Sequence, residues 1–170
     1  MLACDHALGT PDSSYVCPAE TYRMRYLVAT DGSTVGDDAV LYAARNALAF
    51  DATLVIVHVL TPESELVDGT LIMPGEEAAL DEGERVLTGA EAVAEGASDE
   101  DDTIEDDTIE IETELLTDRP ASAIAEFAVE TDADAIFVGH RGLSAEREQV
   151  VGSVAKGVVD KATIPVTITR

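Results

Sequence analysis

The chain has 170 residues, 46% of them apolar, and carries 35 acidic against 10 basic side chains, for a formal charge of −25. That length suits one domain with a real core, and no apolar run is long enough to cross a bilayer. A field so negative repels nucleic acid and anionic membrane, which sets both aside as general partners.

The acids are spread along an otherwise globular pattern instead of being gathered in a tail. Such a surface is expected of a protein adapted to high salt, where dense carboxylates stay hydrated and their repulsion is screened. Residues 1–23 form a polar leader that holds both cysteines, Cys4 and Cys17. Two thiols there make neither a disulfide framework nor a zinc site. The leader lacks a basic start and a sustained apolar stretch, so it is not read as a secretory signal, and a cytoplasmic protein is expected. A disordered extension over 1–23 and a domain over 24–170 are expected, with Met24 an alternative start.

From Arg25 the pattern becomes regular. YLVAT (26–30) is a short buried strand followed by the turn-and-cap residues DGST. Val35, Ala39, Ala43, Ala47 and Phe50 then share one helix face. TLVIVHVL (53–60) is a continuous apolar run rich in β-branched residues, suited to a central parallel strand covered on both faces. The stretch TPESELVDGTLIMPG is read as a long loop, and residues 76–95 as a helix with Leu80, Leu87, Ala90 and Ala94 inward. A direct repeat, DDTIE at 101–105 and 106–110, falls in an acidic region read as a solvated loop over about 96–107. It lacks the glycine and ligand spacing of a calcium loop.

Alternation over 108–116 indicates a strand nearer the sheet edge. Pro120 opens a helix at its first turn, with Ile124, Phe127 and Ala128 apolar. DAIFVG (134–139), a helix over 152–162 and a strand over 164–169 complete the chain. Alternating strands and helices predict a single doubly wound, Rossmann-like α/β domain of about five parallel strands with helices on both faces. Ligands of such sheets sit off the carboxyl ends of the strands, so the loops after Thr30, Leu60 and Val138 matter most.

One of those loops is GHRGLSAEREQVVGS, residues 139–153. Gly139 and Gly142 can bring backbone N–H groups close to an anion, and Gly152-Ser153 opens a helix whose N-terminus favours phosphate. Arg141, Arg147, Lys156 and Lys161 crowd into the same region of a basic-poor chain. Glycines also end strands and cap helices everywhere, and on physics alone the two readings stand level. There is no GxxxxGK[ST] and no GxGxxG after the first strand, which argues against a P-loop NTPase and a dehydrogenase.

The spacing G-x2-G-x9-G-S at Gly139, Gly142, Gly152 and Ser153 resembles the ATP-binding motif of the universal stress protein family. The resemblance extends over residues 24–170, through a first strand ending in TDGS, a second ending in HV, and a closing IPVTITR. It implies ATP beside Ala29 and Asp31, adenine against the backbone of Val59, and ribose and phosphates wrapped by Val138, Gly139, His140, Arg141 and Gly142. Gly152, Ser153 and Val154 would lie on the phosphate chain.

The family commonly holds ATP with a divalent cation such as Mg or Mn, for which Asp31 is the candidate carboxylate; helix capping is its equal alternative. The resemblance also implies a homodimer paired through strand 164–169, whose flat apolar edge would otherwise be exposed. His58 is read as a packed core histidine. No pair of residues reads as general base and nucleophile, so the expectation is a nucleotide-dependent stress-response regulator. A slow ATP hydrolase, a related adenine-nucleotide enzyme and a family member that binds no nucleotide are the alternatives.

Overall fold

The computed structural model describes residues 22–60, 65–67, 70–72, 76–97, 109–141 and 151–170. Strand β1 (Arg25–Ala29) leads through helix α1 (Thr34–Phe50) to β2 (Thr53–Leu60). Two short strands, β3 (Glu65–Val67) and β4 (Thr70–Ile72), precede α2 (Glu76–Glu95) and β5 (Ile111–Thr117). The chain closes with α3 (Pro120–Glu130), β6 (Ala135–Gly139), α4 (Ser153–Lys161) and β7 (Val166–Thr169). The expected acidic loop from residue 98 on and the first 21 residues, with both cysteines, lie outside the described residues.

The main sheet has five parallel strands in the order β5-β2-β1-β6-β7. Strand alternation divides its side chains between two cores. Tyr26, Val28, Leu54, Ile56 and Phe137 face the small residues of α1 (Ala39, Val40, Ala43, Ala44, Ala47) and Leu87, Ala90 and Ala94 of α2. Leu27, Val55, Val57, Val59, Ile136 and Val138 face Ile124 and Ala128 of α3 and Ala155 and Val158 of α4. The expected doubly wound sheet is thus present, with 53–60 second from one edge and 111–117 at that edge.

Three expectations need correction. Phe50 and Leu80 are 60% and 41% exposed, not inward. Each stands at an end of its helix, where the helix axis has run past the sheet. Phe50 keeps only an edge-on ring contact with Tyr26, at 6.4 Å between centroids. The stretch after β2 is not wholly a loop, since β3 and β4 pair antiparallel with Leu66 opposite Leu71. The Asp68-Gly69 pair between apolar flanks is the hairpin signal that was available there.

Among the described residues, Tyr22 and Arg23 anchor the start of the domain. The Tyr22 hydroxyl donates to Asp134, and Arg23 donates to the Asp51 carbonyl (3.0 Å) and carboxylate (2.7 Å) and pairs with Glu110. These links tie the entry of the chain to the amino ends of the strands, opposite the expected ligand side.

Candidate functional site

The strand order reverses beside β1. From β1 the chain crosses over α1 to β2 on one side, whereas from β6 it crosses over α4 to β7 on the other. Between the carboxyl ends of β1 and β6 the two crossovers diverge and leave a crevice. Asp31 follows one strand and His140 and Arg141 follow the other.

On the β1 side, Thr30 is buried and continues the ladder, its N–H donating to Val57 O at 3.0 Å. Its hydroxyl accepts from Gly32 N, and Gly32 turns the chain at φ +74. Asp31 Oδ1 accepts from Ser33 N (3.1 Å) and Ser33 Oγ (2.6 Å). Ser33 Oγ in turn accepts from Gly36 N, which makes Ser33 the N-cap of α1. The capping alternative for Asp31 is therefore corrected. Asp31 sits one residue pair back and orients the serine that caps.

Asp37, in the first turn of α1, has its carboxyl pushed above the ordinary aspartate value by partial burial, then by repulsion from Asp38 and Asp31. These effects outweigh the favourable helix dipole. The folded state therefore holds this proton more tightly than the unfolded chain does. The side chain favours folding below the ordinary aspartate range and opposes it once pH passes the raised value. Asp37→Asn should raise the thermal midpoint at pH 7, and the gain should vanish below about pH 4. Thermal scans of both proteins in molar KCl check this; an equal gain at both pH values would contradict it.

On the β6 side, Val138 is buried and Gly139 closes the strand against α1. A Cβ on Gly139 would lie 3.0 Å from both Val35 O and Val35 Cγ1, and 3.2 Å from Arg141 O. Only a glycine lets β6 end this close to the start of α1. His140 N donates to Thr169 O (2.8 Å), and His140 Nδ1 lies 3.1 Å from the same carbonyl. A carbonyl only accepts, so Nδ1 carries the hydrogen and Nε2 is left as an acceptor. Arg141 Nε is buried and has no hydrogen-bond partner among the described residues.

Gly152 is the N-cap of α4, at φ −62 and ψ 161, and has no side chain with which to cap it. Its N–H is not available to a ligand as expected, because it donates to His140 O at 2.7 Å. That bond ties the helix start to the end of β6. The first bond within the helix runs from Lys156 N to Gly152 O. The donors that open α4 are therefore the backbone groups of Ser153, Val154 and Ala155, one residue later than the motif alone indicates.

Ala29 ends β1, and Val59 stands near the end of β2, 8% exposed. Gly142 lies outside the described residues. Sequence reasoning missed the Thr30 hydroxyl and the part played by His58. The ring of His58 is half buried, with Nδ1 2.9 Å from Thr30 O. Among the described residues no group of three or more His, Cys, Asp or Glu side chains could hold a metal ion. None of their helices is long and apolar enough to cross a membrane. A cleft of about 460 Å³ lies elsewhere, at the β7 edge, lined by Tyr42, Arg45 and Thr167–Arg170 among others.

A five-stranded parallel sheet wound in both directions about a switch point, with helices on both faces, defines the class of doubly wound α/β domains. Within that class, residues 23–170 match the model of the universal stress protein family, and the chain belongs to that family. A universal stress protein of Thermus aquaticus is 32% identical over 144 residues, covering 85% of this chain and 96% of that protein. A solved universal stress protein in complex with cAMP is 28% identical at a TM-score of 0.65, covering 86% of this chain and 97% of the other. The Archaeoglobus fulgidus universal stress protein in complex with dAMP is 26% identical at a TM-score of 0.64, covering 86% and 98%.

Proposed function

We propose that this protein is an ATP-binding regulatory module of the stress response that works as a homodimer, with nucleotide occupancy shifting a conformational or association equilibrium. The observation that carries the reading is a set of donors without acceptors. The N-cap of α4 is a glycine with no side chain to cap the helix, and among the described residues the buried Arg141 Nε beside it has no partner. A phosphate chain supplies the missing acceptors. The family relatives solved with cAMP and dAMP support an adenine nucleotide as the ligand.

The roles are those that the family resemblance implies. Ala29 and Asp31 border the adenosine, and Val59 borders the base. Val138, Gly139, His140, Arg141 and Gly142 carry the ribose and phosphate side. Gly152 holds the helix start in place, and Ser153 and Val154 donate to phosphate. A divalent cation, Mg or Mn, would reach the protein through the nucleotide, with Asp31 as the candidate carboxylate among the described residues. The cation would neutralise phosphate charge in a strongly acidic molecule. Asp31 and His140 already hold Ser33 and the Thr169 carbonyl, which favours regulation over hydrolysis.

The dimer reading rests on β7. It is an edge strand, its Ile168 is 36% exposed, and unpaired apolar edges invite pairing. Native mass spectrometry of protein purified without added nucleotide tests both parts together. The expected species is a dimer carrying ATP. Bound ADP with turnover would favour the hydrolase, a cyclic or simple monophosphate would change the ligand, and an empty monomer would overturn the reading.

A further inference from the structure

We infer that His58 is a positioning residue for the nucleotide site: it takes over the last rung of the β1–β2 ladder and so leaves the Val59 N–H to a purine base. The inference rests on the nucleotide reading above. Its starting point is the register. Ala29 stands opposite Val57, so Thr30 stands opposite His58. The Thr30 N–H keeps the ladder going by donating to Val57 O at 3.0 Å. In a parallel pair the complementary bond runs from Val59 N–H back to Thr30 O.

That bond is absent from the backbone bonds of these two described residues. The Thr30 carbonyl is instead met by His58 Nδ1 at 2.9 Å, and since a carbonyl only accepts, Nδ1 carries the hydrogen. The carbonyl is thus satisfied by a side chain, at a place where an unpaired buried acceptor would be costly. The ring is seated close to α2, since a Cβ on Gly83 would lie 3.5 Å from His58 Cδ2.

The consequence falls on Val59. Peptide groups two residues apart on a strand point the same way. Val57 O points to β1, so the N–H and C=O of Val59 point to where β1 has just ended, which is the crevice. Val59 itself is 8% exposed, so this donor sits in a largely dry place. An N–H there matches N1 of adenine, which accepts. It does not match N1–H of hypoxanthine or guanine, which donates. The adjacent Val59 C=O matches the adenine amino group and opposes O6. His58 thereby serves base selection without touching the base.

The test uses His58→Phe, which keeps a ring and removes the donor, and His58→Asn, whose amide can restore it. Without nucleotide, amide hydrogen exchange measured by NMR in molar KCl should be faster at Val59 in the parent than in His58→Phe, where Val59 N–H can close the vacant rung. By calorimetric titration, the parent should prefer MgATP to MgITP. His58→Phe should lose about tenfold in ATP affinity, one hydrogen bond, and with it the preference, while Mg-tripolyphosphate affinity stays unchanged. His58→Asn should recover both ATP affinity and preference.

Slow Val59 exchange in the parent, or an unchanged ATP-over-ITP ratio in His58→Phe, overturns the inference. Equal losses for ATP and tripolyphosphate, without rescue by Asn, would mean a merely structural histidine and also overturn it. A parent that binds no nucleotide at all removes the nucleotide reading and this inference with it, and fast Val59 exchange would then mark the reading as the part that failed.

Discussion

Gly152→Glu should abolish ATP binding while leaving the fold in place. The backbone at Gly152 is at φ −62, which any residue adopts, and an added Cβ would lie 3.4 Å from His140 O and 3.7 Å from Arg141 Cα. The side chain is therefore accommodated with at most a small shift. Its carboxylate, however, would stand at the uncapped start of α4 and take the donors that phosphate needs, adding a negative charge beside them. Losing two or more hydrogen bonds to a charged acceptor, at about 1.5–3 kcal/mol each, is worth at least a hundredfold in affinity.

Ser153→Ala is the contrast, with an expected cost of about 1–2 kcal/mol for a single bond. Gly139 would be a poor choice for this experiment, because its Cβ meets the Val35 carbonyl at 3.0 Å and would disturb the fold itself. Calorimetric titration with MgATP in molar KCl, with circular dichroism confirming the fold, decides the matter. A folded Gly152→Glu that binds like the parent would move the phosphate site elsewhere.

Thermal stability should climb steeply with salt. A charge of −25 on one small domain repels itself across the whole surface. The Debye length falls from about 10 Å at 0.1 M to about 3 Å at 1 M, which removes most of that repulsion. Salt also weakens ion pairs, so the two effects compete. Pairs among the described residues include Arg23 with Asp51 and Glu110, Arg25 with Glu112, and Arg85 with Glu82. These pairs are partly or largely exposed, and such pairs contribute about 0–1 kcal/mol each. Repulsion therefore dominates, and the midpoint should rise between about 0.1 and 2 M KCl. A flat profile over that range in calorimetric scans would contradict salt adaptation.

Most of the architecture could be read in the chain because its signals are local. The run 53–60 has no polar break but His58, which demands cover on both faces, and it lies second from the sheet edge. The alternation near 108–116 includes exposed acids, which only an edge tolerates, and β5 is that edge. Helix ends were less legible. Phe50 and Leu80 keep the right period, yet the length of the sheet, which no helix sequence contains, decides where a helix stops being covered. The hairpin at β3 and β4 was signalled by Asp68-Gly69 and hidden by the polar residues around it.

The site divides along the same line. The spacing of Gly139, Gly142, Gly152 and Ser153 is a chain property, because a tight strand end and a helix start leave a fixed pattern of small residues. By itself, then, the sequence determined the doubly wound class, the family and the net charge, and it marked the segment proposed to meet the anion. Tertiary structure alone decided how the donors are shared out. Gly152 N–H is spent on His140, Ser33 caps α1 with Asp31 behind it, and His58 satisfies Thr30 in place of Val59. Each of these joins residues that the chain separates by a crossover or a turn. Hydrogen bonds are allotted by distances of about 3 Å in space, and no spacing along a sequence specifies those distances until the sheet has formed.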